Sequence, residues 1–203
     1  MAMATAAEQL ARLRRLAANP PPASSDFDLN PDIALPAGRR LRPAAVLVPF
    51  CEGPRGLSLI LTKRASSLKH HPGQIAFPGG KLDDTDDGPV AAALREAEEE
   101  IALERDNVEV LGLLAAHETV TGFLVTPVIA RVRDAFAPIP EPGEVEEVFS
   151  VPFSHIADPA RYQVQWRIWR GRRRFYYTAP YGPYYIWGAT ARILRGMAEG
   201  LAG

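Results

Sequence analysis

The segment that most constrains this chain runs from Pro89 to Leu103. Val90, Ala93, Leu94, Ala97 and Ile101 recur at helical spacing, so one side of a helix must be buried. Pro89 suits its first turn. The other side carries Glu96, Glu99 and Glu100 at i, i+3 and i+4. Such residues share one helix face with Cβ atoms about 5–6 Å apart. Each like-charge pair costs about 0.2–0.5 kcal/mol even in water. The helix is thus pinned on one side and self-repelling on the other. A divalent cation would convert that repulsion into binding, because hard cations take carboxylate oxygens and often share them with substrate phosphates. A solvated Glu-rich face is the plain alternative for an isolated run of this kind.

Strands are expected on both sides of this helix. Ala44–Phe50 and Leu57–Thr62 precede it, joined by a Gly/Pro turn, and Val108–His117 and Val125–Val132 follow. Val164–Trp169 and Phe175–Thr178 read as a hairpin around Arg170-Gly171-Arg172, and Ala189–Leu201 as a closing helix. This order predicts an α/β (α+β) layer fold with a mixed sheet. Residues 5–18 read as a surface helix, ended by Pro20-Pro21-Pro22. The division expected is an N-terminal helix and Pro-rich arm over 1–40 and a folded domain over 41–203.

Several classes are excluded or disfavoured. The net charge is −1, so no global field draws the chain to nucleic acid or an acidic membrane. No apolar run approaches the roughly 20 residues of a membrane span, and the N-terminus has no secretory h-region. With one cysteine, Cys51, an intramolecular disulfide is impossible, and a reducing, cytoplasmic setting is expected. Asp83–Gly88 lacks the glutamate an EF-hand needs, and the four histidines lack zinc spacing. The hairpin interleaves Trp166, Arg167, Trp169, Arg170, Arg172, Arg173 and Arg174. That pattern occurs on nucleic-acid surfaces, but the expectation here is an exposed hairpin whose alternate residues pack on the core. Tyr181, Tyr184, Tyr185 and Trp187 are expected to pack or to form an interface, so a homodimer is possible.

Upstream of the acidic helix lie Gly79 and Gly80, which allow close backbone approach to a phosphate. Together, Gly80, Arg95, Glu96, Glu99, Glu100 and Leu103 resemble the Nudix box, G-x5-E-x7-R-E-U-x-E-E-x-G-U, with U a bulky aliphatic residue. The match departs in four ways. One extra residue separates Gly80 from Arg95; an aspartate, Asp86 or Asp87, replaces the early glutamate; Ala97 is small; and Ala102 stands for the final glycine. The preceding stretch Leu61-Thr62-Lys63-Arg64-Ala65, then Lys69 and Phe77-Pro78-Gly79-Gly80, resembles the signature of Nudix coenzyme A diphosphatases.

The resemblance implies a Nudix α/β/α sandwich, Mg2+ or Mn2+ as cofactor, and hydrolysis of the diphosphate of coenzyme A or a derivative. It implies metal ligation by Glu96, Glu99 and Glu100, with Arg95 orienting the glutamates. Glu99 is also a candidate base, and so is Glu144 in the acidic loop 141–147. Lys63, Arg64, Lys69, Gly79 and Gly80 become candidate substrate contacts. Two other readings compete: a Nudix hydrolase for an oxidised dNTP, NADH or ADP-ribose, and a catalytically silent Nudix-fold module that binds RNA through the Arg-rich hairpin. Isopentenyl diphosphate isomerase chemistry is a distant third, since Cys51 sits in no suitable motif.

Overall fold

The computed structural model describes residues 4–33, 38–169 and 171–202. Arg170 and part of the Pro-rich segment before Leu41 lie outside the described residues. In chain order the elements are α1 (Ala6–Ala18), β1 (Ser24–Ser25), β2 (Arg42–Gly53), β3 (Gly56–Arg64), β4 (Ile75–Ala76) and β5 (Gly79–Lys81). They continue with α2 (Gly88–Ile101), β6 (Val108–Leu113), β7 (His117–Glu118), β8 (Phe123–Val132) and β9 (Val145–Pro152). Last come α3 (Phe153–Ile156), β10 (Gln163–Trp169), β11 (Arg172–Thr178) and α4 (Gly188–Ala202).

The main sheet runs β1-β7-β8-β2-β3-β4, with β5 also on β2, β6 on β8 and β9 on β3. It is mixed: β2 pairs parallel with β8 and antiparallel with β3 and β5. Alternation along β2 explains the layers, because successive side chains point to opposite faces. Ala45 and Leu47 meet Ala92, Ala93, Ala97 and Ile101 of α2. Val48 and Phe50 face the other way, into a core shared with Leu13 and Leu16 of α1 and Ile193, Leu194 and Met197 of α4. The result is the α/β/α sandwich.

Two readings of the sequence change. The acidic loop ends at Glu144, and Val145–Pro152 is a strand that pairs with β3 from Ser58↔Pro152 to Arg64↔Val145. Its apolar residues are spaced by charges, which hides the strand period in the sequence. The hairpin is exposed as expected, but alternate residues turn inward on β11 alone. All seven residues of β10 are exposed, and only Arg174 and Thr178 of β11 are buried. It forms a separate two-stranded sheet.

Helix α1 is docked, with one side buried. A capping box between Thr5 and Glu8 starts it. Gln9 accepts a hydrogen bond from Leu57 N at 2.7 Å, and Arg12 donates to the Leu201 carbonyl at 2.8 Å. Gly200 lies so close to Leu16 that an added Cβ would sit 2.5 Å from its Cδ1. Leu13 is fully buried. Leu13→Ala should therefore cost about 2–5 kcal/mol, the range for a buried leucine truncation, read as a lower midpoint in denaturant unfolding. A loss below about 1 kcal/mol, the size of a minor core trim, would mean that α1 is a detachable arm.

Candidate active site

The site forms where α2 passes behind the β5 loop. Gly79 has φ +154°, and a Cβ there would lie 2.5 Å from the Ala45 carbonyl oxygen. Only glycine lets the loop lie this close to β2. At Gly80 a Cβ would meet the Glu96 carboxylate at 2.4 Å. The glycine pair therefore sets the gap between loop and helix.

Arg95 organises the acids. Its Nε donates to Asp86 Oδ1 at 3.1 Å and its Nη2 to Asp86 Oδ2 at 2.9 Å. Its Nη1 donates to Glu96 and Glu99, both at 3.0 Å, and Nη2 also reaches the Lys81 carbonyl at 3.2 Å. Arg95 holds the Asp86 carboxyl down at about 2, and Asp86 in turn raises the guanidinium above its ordinary value. Asp86, rather than Asp87, is thus the early acidic residue tied to the helix. The sequence alone left that choice open because of the extra residue in the loop.

Glu100 differs from its neighbours. Its side chain is only 4% exposed. Gly79 N donates to its Oε2 at 3.1 Å, and Arg64 stands 4.0 Å from its Oε1. Burial pushes its pKa up to about 8; the Gly79 amide and Arg64 oppose that, and Glu96 and Glu144 add to it. Glu96 is also raised, mainly by burial and against the pull of Arg95. Glu144, exposed on the turn before β9, adds its field to both acids. Among the described residues no three acidic, histidine or cysteine side chains converge as a finished metal cage, and Arg95 bridges Glu96 and Glu99. The donors are all carboxylate oxygens, however, and this electrostatic strain is what a hard cation relieves. Glu96, Glu99 and Glu100 are the residues that would hold it.

The candidate substrate contacts separate. Arg64 and Gly79 line a cavity of about 280 Å³, and Glu100 does not line it but touches these two wall residues from behind. Lys63 points elsewhere and pairs with Glu146 at 2.6 Å; Ser66 bonds the same carboxylate. Lys69 is exposed on the intervening loop. Other lining residues were missed in the sequence. Asp26 precedes the main sheet by many residues, and Arg167, Arg174 and Trp187 carry only the pattern of an exposed hairpin and an aromatic tail. Asp26 is fixed by Val120 N at 2.8 Å and by His117 Nε2 at 3.3 Å, while His117 Nδ1 meets Ser24 Oγ at 2.9 Å.

Fold and acidic helix together define a diphosphate-hydrolase architecture, and the chain belongs to the Nudix family: the NUDIX domain profile matches residues 41–175. It is a Nudix hydrolase, a pyrophosphohydrolase, and members of this family generally use divalent metal ions. Among curated relatives, "uncharacterized Nudix hydrolase NudL" of Cronobacter sakazakii is 43% identical over 157 residues, 77% of this chain and 81% of that protein. The protein of the same name from Escherichia coli K12 is 41% identical over the same shares. Among solved structures, the M. smegmatis Nudix hydrolase RenU is 26% identical with TM-score 0.45, covering 57% of this chain and 73% of that one. No helix among the described residues is long and apolar enough to cross a membrane.

Two measurements follow. In EDTA, Glu100 keeps its proton up to about pH 8 in the folded protein, while the unfolded chain releases it near the ordinary value of about 4.3. The folded state binds the extra proton between these values, so stability falls as pH rises through that window. Unfolding midpoints should show this decline, on the order of a few kcal/mol, and Glu100→Gln should flatten it. An unchanged slope in the variant would show that burial does not perturb this carboxyl.

Ala102 ends α2 at φ 56°, a left-handed C-cap. A non-glycine residue there costs about 1–2 kcal/mol. Ala102→Gly should raise stability by about 1 kcal/mol, a Tm gain of roughly 2–4 °C for a chain of this size. A lower Tm would mean that the lost methyl contacts outweigh the backbone relief.

Proposed function

We propose that the protein is a coenzyme A diphosphatase, hydrolysing coenzyme A or a derivative to 3′,5′-ADP and 4′-phosphopantetheine or its acylated form. The observation that carries this reading is the course of the stretch Leu61–Gly80. Its Arg64 and Gly79 wall a cavity and reach Glu100. The segment that resembles the coenzyme A signature thus leads from the cavity straight to the acidic helix.

The chemistry follows from these positions. The water oxygen attacks one phosphorus of the diphosphate, the bond from that phosphorus to the bridging oxygen breaks, and the bridging oxygen leaves with the other phosphate. The water's proton passes to a carboxylate. Glu99 and Glu144 are exposed acids that can take it. Arg64 sets a fixed positive charge beside the diphosphate, and Gly79 lines the same cavity, while Gly80 makes room for the Glu96 carboxylate. Mg2+ or Mn2+, held by the helix glutamates, would activate the water and neutralise charge developing on the phosphate oxygens. Arg95 keeps those glutamates in register.

Purified protein incubated with coenzyme A and Mg2+ or Mn2+ should yield 3′,5′-ADP and 4′-phosphopantetheine by chromatography and mass, and EDTA should stop it. Glu100→Gln should lower kcat by about 100-fold or more, the scale of losing a key charged group, with the fold intact by circular dichroism. Turnover of another nucleoside diphosphate but not of coenzyme A would remove the substrate assignment and keep the metal helix. Full activity in folded Glu100→Gln would remove the metal assignment. Salt-sensitive RNA binding with no metal-dependent turnover would favour a binding module.

A further inference from the structure

The cavity lined by Arg64 and Gly79 is walled, among the described residues, by four arginines and a single carboxylate. Those arginines are Arg64, Arg167, Arg174 and Arg192, and the acid is Asp26. Arg192 is already paired with Asp28 at 2.7 Å. Asp26 is shared between His117, the Val120 amide and Arg174, the last at 3.7 Å. Positive charge therefore exceeds what the protein itself neutralises.

The hairpin register sharpens the imbalance. Arg167 of β10 stands directly opposite Arg174 of β11. Like charges at opposed cross-strand positions destabilise a hairpin. Arg174 is also buried, at 8% exposure. Burial holds its guanidinium below the ordinary pKa; Asp26 opposes that and Arg167 adds to it. Arg167 itself lies over the Trp187 ring at 4.6 Å, and Tyr176 packs edge-on against the same ring at 5.3 Å. Two cations and an aromatic ring thus line the cavity from the hairpin side, and Arg64 and Gly79, which touch Glu100, line it as well.

We propose that Arg167 and Arg174 form a second anion subsite, which holds a phosphate of the substrate that is not part of the cleaved diphosphate. The inference rests on the coenzyme A reading, whose substrate carries such a group as a phosphate monoester on the ribose. It divides the work in the cavity. Arg64 serves the diphosphate, and the hairpin pair serves the monoester, with Trp187 holding the Arg167 guanidinium in place. Binding of that monoester relieves the cross-strand repulsion. The hairpin is thereby a specificity element for nucleotides phosphorylated at two places, with no role in bond cleavage.

The test compares coenzyme A with dephospho-coenzyme A, which lacks only the ribose phosphate. Wild-type kcat/KM should favour coenzyme A by about tenfold or more, the worth of one charge-assisted contact. Arg167 lies on an exposed strand, so Arg167→Ala should fold normally. It should bring that ratio close to one, mainly through KM, and Arg167→Lys should recover part of it. Arg173→Ala, which removes a cation from the opposite hairpin face over Trp166, should leave the ratio at its wild-type value. Equal losses for both substrates in Arg167→Ala, an unchanged ratio, or a wild type that does not discriminate would each overturn the subsite. A wild type that cleaves other nucleoside diphosphates but neither of these two would instead overturn the coenzyme A reading, and the subsite with it.

Discussion

Arg95 is the interaction on which the site depends. Its guanidinium is bonded to Asp86, Glu96, Glu99 and the Lys81 carbonyl, so it ties the loop after β5 to the face of α2. Without a cation between them, Glu96, Glu99 and Glu100 would repel one another and their rotamers would spread. With Arg95, two of the three acids and the loop share one positive centre. Glu100 lies outside that centre, buried and bonded to the Gly79 amide instead. The helix therefore offers carboxylates in two settings: Glu96 and Glu99 bonded to arginine, and Glu100 buried and bonded to a backbone amide. A cation is the natural partner for the buried one.

This local order reaches the rest of the fold through β2. Its alternate residues serve both layers, and its backbone meets β3, β5 and β8. The close approach of Gly79 to Ala45 joins the loop to that strand. A disturbance in the central strand is thus transmitted to the loop, and through it to the acids.

Much of this was legible in the sequence because it rests on local periodicity. The apolar spacing of α2, its pairing with an acidic face, and the apolar runs of β2, β3 and β8 are all properties of short windows. What was not legible depends on distant residues meeting. Val145–Pro152 is a strand only because β3 offers it an edge. Asp26 lines the cavity only because β1 pairs with β7 and brings it to His117 and Val120. Lys63 and Arg64 are adjacent in the sequence and alike in charge, yet one pairs with Glu146 and the other faces Glu100. Strand alternation separates them, and the sequence gives no sign of which face carries the acids.

The cavity is assembled from both ends of the chain. Asp26 comes from the stretch before the main sheet, and Thr190, Arg192 and Ile193 come from α4, the last helix. Helix α1 packs in turn on α4 through Leu16 and Gly200. During synthesis the acidic helix and its glycine loop emerge well before α4 does. A growing chain can therefore carry the acidic helix face while the part of the cavity wall supplied by α4 is still missing. The cavity is thus complete only once α4 has docked, whereas the acidic face needs no residue beyond α2 and its glycine loop.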